Sequence, residues 1–305
     1  MQTTLRSDLS LDGIGLHLGE TARVTLRPAP ADHGIVFRRV DLPGRPRVPA
    51  RWDRVIVAPL NTRIESDAGV SVSTIEHLMA ALAGCGIHNL LVDVDGPEVP
   101  ILDGSAACFV SGILRAGIQR LDAPLRVIEI LAPVSVRLGD ATARLDPSES
   151  LRISFEITFE EAAIGHQRKS LNMANGAFAR ELCDCRTFCR AGDVTAMREQ
   201  GLALGGSYEN AVVVDGAQVL SPGGLRRADE AVRHKMLDAL GDLYTAGAPI
   251  LGAYAGQRAG HAVTNALLRA LFARPDAWAW KTCDAEIGAR LPGVGLTLAD
   301  LPAVA

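Results

Sequence analysis

His234, Asp238 and Asp242 follow one another at intervals of four in the stretch AVRHKMLDALGDLY, residues 231–244. Ala231, Val232, Met236, Leu237, Leu240, Leu243 and Tyr244 recur at helical spacings through it, so the stretch is predicted to be a helix. Four residues is just over one turn, which lays the histidine and both carboxylates along nearly one stripe. Two chemistries suit such a stripe. One is an i,i+4 ion pair, worth about 0.3 kcal/mol. The other is a pair of side chains sharing one divalent cation, the spacing used by the H-E-x-x-H pattern. Two ligands make a poor site, so a third must come from elsewhere. The candidates are His17, His33, His77, His88, His166 and His261.

His77 stands out among them. It follows Glu76 in STIEHLMAALAG, in a helix whose apolar positions Ile75, Leu78, Met79 and Leu82 do not require it. An adjacent Glu–His pair suits hydrolysis at a metal: the imidazole binds the ion and the carboxylate handles a proton of water. A second reading competes. Ser73-Thr74-Ile75-Glu76 fits the capping box, in which Glu76 bonds back to the helix start, and local sequence favours that cap. His261 follows Gly260 at another helix start, where a surface or capping role is usual; Arg258, three positions earlier, adds positive charge to that loop. The cysteine cluster CDCRTFC, 183–189, is a rival metal site, but it lacks the paired C-x2-C knuckles of soft zinc sites. Small core residues are its simpler reading. ALGGSYEN has neither the lysine of a P-loop nor a G-x-G-x-x-G pattern and reads as a tight turn into the strand AVVVD.

These residues need elements to hold them. RVTLRPA and GIVFRRVDL alternate as strands across the turn-forming PADHG, and RVIVAPLNTRI is a strand candidate with a proline break. A helix is expected from about Thr74 to Ala83, ended by Gly84 and Gly86, followed by the strand NLLVDVDG. The prolines of PEVPILDGSA exclude a central strand or helix. A second helix is expected over 106–116. LRVIEILAPVSVRLG, ATARLDP and LRISFEITFE then read as strands, APILGAYAG follows the opening helix as another, and a last helix starts near His261. His77 lies nine residues before Gly86 and Asp238 nine before Gly247. In both places a helix ends at a glycine and turns into an apolar strand. This suggests two similar α+β halves, split near 120–126.

The 305 residues allow one large or two ordinary domains, and 48% hydrophobic with 22% charged residues indicates a globular chain. A net charge of -4 without a long run of like charge argues against nucleic acid as a partner. No apolar run suits a signal peptide or a membrane span. The six cysteines are then expected to be reduced thiols in a cytoplasmic protein.

Taken in order, GIGLHLGETARVTLRPAPADHGIVFRR, STIEHLMAALAGCGIHNLLVDVDGPEVPILDGSA, CRTF, LGGSYENAVVVD, VRHKMLDALGDLY and AGHAVTNALLRAL resemble the UDP-3-O-acyl-N-acetylglucosamine deacetylase family (LpxC) of lipid A biosynthesis, over about residues 3–300. The resemblance implies an α+β fold of two similar domains, each a sheet layered on two helices, with the active site between them. Its domains would be 1–123 and 124–305. It implies a zinc amidase that removes acetate from a UDP-linked, 3-O-acylated N-acetylglucosamine, the committed step toward lipid A, and a monomer is expected. The family's zinc ligands fall on His77, His234 and Asp238. Its general base falls on Glu76, its catalytic histidine on His261, and the carboxylate orienting that histidine on Asp242. Thr187 matches the hydroxyl beside the reacting carbonyl, and Lys235, Phe188 and Arg258 match positions near the substrate. Either Glu76 or His261 would protonate the leaving amine. The chain departs from the family after RTF, where Cys189 and Arg190 replace a glycine and an apolar residue beside the acyl passage. It departs again at Asn61, where some members carry a cysteine near the metal.

Overall fold

The computed structural model describes residues 1–302. Its helices are α1 (Glu76–Cys85), α2 (Ala107–Ala116), α3 (Ala177–Glu181), α4 (Ala191–Glu199), α5 (Glu230–Tyr244), α6 (His261–Phe272) and α7 (Ala285–Ala289).

Two sheets dominate, and they share one plan. The first runs Leu9–Ile14, Thr21–Pro28, Leu90–Val94, Ile35–Arg39, Arg47–Pro49. Its successive pairings are antiparallel, antiparallel, parallel and antiparallel. In the second, Val134–Leu138, Ala141–Pro147, Ile250–Gln257, Arg152–Thr158 and His166–Asn172 follow the same series of directions. Arg126–Ile130 extends it along Ile250–Gln257 and pairs in turn with Trp278–Thr282. In each sheet the inner strand next to the parallel pairing is the one that follows the expected helix, α1 in one and α5 in the other. The fold is therefore α+β, in two topologically similar halves. The first half closes on itself: Thr3–Leu5 pairs with Ile118–Arg120.

The halves meet through α1 and α5, which make the most extensive helix–helix contact in the molecule. Gly241 permits it. A Cβ there would lie 2.1 Å from the Glu76 carbonyl oxygen, closer than packed atoms allow. Both helices are buried on all sides; in α5 only Lys235 escapes. A helix so enclosed must find partners for its polar groups, and α5 carries Glu230, Arg233, His234, Asp238 and Asp242 into that environment.

Two three-stranded sheets flank this seam. One comprises Val55–Ile56, Arg63–Glu65 and Ser71–Val72; the other Phe188–Arg190, Val212–Asp215 and Gln218–Val219. The first strand of the latter directly follows Thr187.

Three expectations are corrected. α1 begins at Glu76, two residues late, because Thr74 sits at φ 56, outside helical space. The capping box is absent: the Ser73 hydroxyl donates to the Pro97 carbonyl and Glu76 accepts from Thr62 N–H. α6 is not the last helix, since α7 follows it.

Candidate metal centre and its acid–base pair

His77 enters from the first turn of α1, and His234 and Asp238 from consecutive turns of α5. Their ligand atoms all lie within 4.8 Å of one another. Asp238 Oδ1 stands 3.3 Å from His234 Nε2 and 3.6 Å from His77 Nε2. It is buried and has no hydrogen-bond partner in the chain. His234 donates Nδ1–H to the Cys185 carbonyl at 3.0 Å, which leaves the Nε2 lone pair facing the carboxylate. Lys235 Nζ holds the other oxygen, Asp238 Oδ2, at 2.7 Å. Burial pushes the His234 imidazole down to about 4, so the ring is neutral. Against burial, neighbouring positive charge, that of Lys235 included, holds the Asp238 carboxyl well below its usual range. Two imidazoles and an ionised carboxylate, with an orphaned oxygen between them, form a donor set that fits one divalent ion.

The acid–base pair lies beside it. Asp242, one turn beyond Asp238, places Oδ2 2.9 Å from His261 Nδ1. His261 Nε2 lies 3.9 Å from Glu76 Oε1. Although burial opposes it, the Asp242 and Glu76 carboxylates push His261 up to about 9, so the ring is protonated at neutral pH. Burial raises the Glu76 carboxyl.

A cavity of about 1350 Å³ opens onto these groups. His77, His234, Asp238, Glu76, His261, Thr187, Phe188, Lys235 and Arg258 all line it; Asp242 sits behind His261. The structure thus brings every site residue expected from the sequence to one place. Arg258 has φ 50 and Thr74 φ 56, so strained backbone lies three residues before His261 and two before Glu76. Phe188 stacks edge-on against Phe159 and faces His234 at 6.3 Å. Also on the cavity lining, Arg190 pairs with Asp193 at 2.6 Å, both half-exposed. Asn61 turns its amide to the Pro59 carbonyl at 3.1 Å.

Of the other histidines, His33, His88 and His166 bond to Gly34, Thr3 and Glu156 respectively. His17 lines the cavity: Nδ1 accepts from Ala203 N–H at 3.4 Å and Nε2 is buried without a partner in the chain. The cysteine cluster does not join the His77, His234 and Asp238 group. Cys183 and Cys185 are buried and donate to helix carbonyls, as core residues do, and no cysteine among the described residues is disulfide-bonded. Sequence reading passed over Thr62 and Glu98. Glu98 accepts from His17 N–H, Leu18 N–H and the Thr74 hydroxyl; its loop position in a proline-rich stretch gave no signal.

Fold and site together define a class: α+β proteins with a His-His-Asp group able to hold a metal and a histidine–carboxylate pair in a cavity between two similar halves. The chain belongs to the LpxC family, described as UDP-3-O-acyl N-acetylglycosamine deacetylase, whose family model matches residues 2–273. It is 52% identical over 282 residues to the UDP-3-O-acyl-N-acetylglucosamine deacetylase of Phenylobacterium zucineum (strain HLK1), covering 92% of this chain and 96% of that one. It is 46% identical over 285 residues to the protein of that name in Stenotrophomonas maltophilia (strain K279a), covering 93% and 94%. With the one in Idiomarina loihiensis (strain ATCC BAA-735 / DSM 15497 / L2-TR) it shares 47% over 287 residues, covering 93% and 94%.

Proposed function

We propose that this chain is a zinc amidase that releases acetate from UDP-3-O-(3-hydroxyacyl)-N-acetylglucosamine, the committed step of lipid A biosynthesis. The observation that carries the reading is the convergence of His77, His234 and Asp238 beside Glu76 and His261 in one cavity, in a chain of this family. His77, His234 and Asp238 would hold the zinc, which supplies Lewis acidity toward a water molecule and the acetyl carbonyl.

The remaining chemistry falls to the chain. Glu76, its carboxyl raised by burial yet beside cationic His261, takes a proton from the attacking water. The Thr187 hydroxyl donates to the acetyl oxygen as negative charge develops there. The leaving nitrogen needs one proton, and His261, held protonated, delivers it from Nε2 while Asp242 keeps the ring in place through Nδ1. Lys235 and the exposed Arg258 suit the diphosphate and ester oxygens, and Phe188 offers an aromatic wall. We further assign a monomer acting in the cytoplasm, with its domain boundary between residues 123 and 124.

The test is acetate release by the purified chain, loaded with one zinc equivalent, from substrates of several acyl lengths. Acyl-free UDP-N-acetylglucosamine serves as control. Turnover of the acylated substrate is expected; none at any acyl length overturns the reading.

A further inference from the structure

Thr62 reaches both the acid and the base side of the site. Its backbone N–H donates to Glu76 Oε2 at 2.9 Å, and its hydroxyl donates to Asp242 Oδ1 at 2.5 Å. The other oxygen of each carboxylate faces His261: Asp242 Oδ2 at 2.9 Å from Nδ1, and Glu76 Oε1 at 3.9 Å from Nε2. The four residues close into a ring drawn from a loop, α1, α5 and the start of α6. Thr62 is only 2% exposed and does not line the cavity.

We propose that Thr62 is a positioning residue for the deacetylation read above, aiming the free oxygens of Glu76 and Asp242 at opposite nitrogens of His261. A carboxylate with one oxygen anchored has its second oxygen directed; with neither anchored it rotates to whatever donor is near. Removing the hydroxyl leaves Asp242 Oδ1 as a buried acceptor without its donor, a costly state that the carboxylate relieves by turning. His261 then loses its orientation, although no group that touches substrate has been altered. The ring also crosses the seam. Thr62 and Glu76 belong to the first half and Asp242 and His261 to the second, so the hydroxyl sets the registry of base against acid.

This proposal rests on the deacetylase reading, and the experiment separates the two. Thr62→Val and the smaller Thr62→Ala remove the hydroxyl; Thr62→Ser keeps it. Each metal-loaded variant is assayed for kcat, KM and bound metal. The proton resonance of His261 Nδ1–H, assigned by its loss in His261→Gln, is recorded without substrate. The hydroxyl-less variants are expected to lose about tenfold to a hundredfold in kcat. KM should stay within about twofold, and one metal should remain bound per chain. Thr62→Ser should recover most of the turnover, and the resonance should move in Val and Ala but not in Ser. Wild-type kcat in both Val and Ala, a serine variant as poor as valine, or an unmoved resonance overturns the proposal. If the wild type releases no acetate, the deacetylase reading falls and the resonance alone decides whether Thr62 orients His261.

Discussion

His261 shows how neighbouring carboxylates set a protonation state. Burial disfavours a charged imidazole, yet Asp242 at 2.9 Å and Glu76 close by push it up to about 9. The acid form is thus complete below that value and lost above it. Asp242→Asn removes the largest of the three carboxylate contributions that raise it, from Asp242, Glu76 and Asp238, so the loss of acid moves to lower pH. The descending limb of the kcat–pH profile is expected to shift toward neutrality, with lower kcat at every pH; an unmoved limb would assign that limb to another group. Glu76 gives a complementary prediction. It binds no metal in the proposed scheme, so Glu76→Ala should keep one zinc per chain while turnover falls by about a hundredfold or more. Retained turnover would strip Glu76 of its part as base.

At the scale of elements, the seam between α1 and α5 decides whether the site exists. Gly241 lies where a Cβ would meet the Glu76 carbonyl at 2.1 Å. Helix propensity alone predicts that Gly241→Ala gains about 1 kcal/mol; the clash with backbone costs about 1–3 kcal/mol. We expect the clash to prevail: the melting temperature falls, and affinity for the proposed zinc with it, because His77 rides on the displaced helix. A rise in melting temperature would mean that α1 yields without loss. The stripe on α5 is also longer than its spacing first suggested. Glu230, four residues before His234, is 1% exposed and accepts from Arg186 N–H and guanidinium, next to the Cys185 carbonyl that orients His234.

What the sequence revealed of these elements follows from how each is stabilised. α2, α5 and α6 are long, with apolar periodicity, so local pattern found them. α4 has no buried residue, and the strand His166–Asn172, HQRKSLN, is polar along an edge; neither carries a signal of its own. Residues on α1 and α5 declared themselves by type and spacing. Thr62 and Glu98 did not, because they lie in loops and acquire partners only when distant segments pair, and His17 stood out no more than any other histidine for the same reason.

The whole molecule places the proposed ligands on both sides of its seam: His77 on one half, His234 and Asp238 on the other. Any ion held by all three favours the closed arrangement by mass action, by about 2.7 kcal/mol at a hundredfold excess over Kd. Chelation is therefore expected to lower the melting temperature of the wild type. In His77→Ala that metal-dependent increment should vanish, although the two α5 ligands remain. An undiminished increment in the variant would place the ion within one half.

The shared plan of the two sheets carries a further consequence. An ion held astride the seam as proposed would be a rivet between two plates of like pattern, and a rivet bears load only when both plates are drilled in register. Drift in either half that moves its ligand would loosen the joint without spoiling either plate. Substitutions deep in one sheet should therefore be able to silence the protein while leaving each half folded, and metal retention would report that misalignment before any loss of secondary structure.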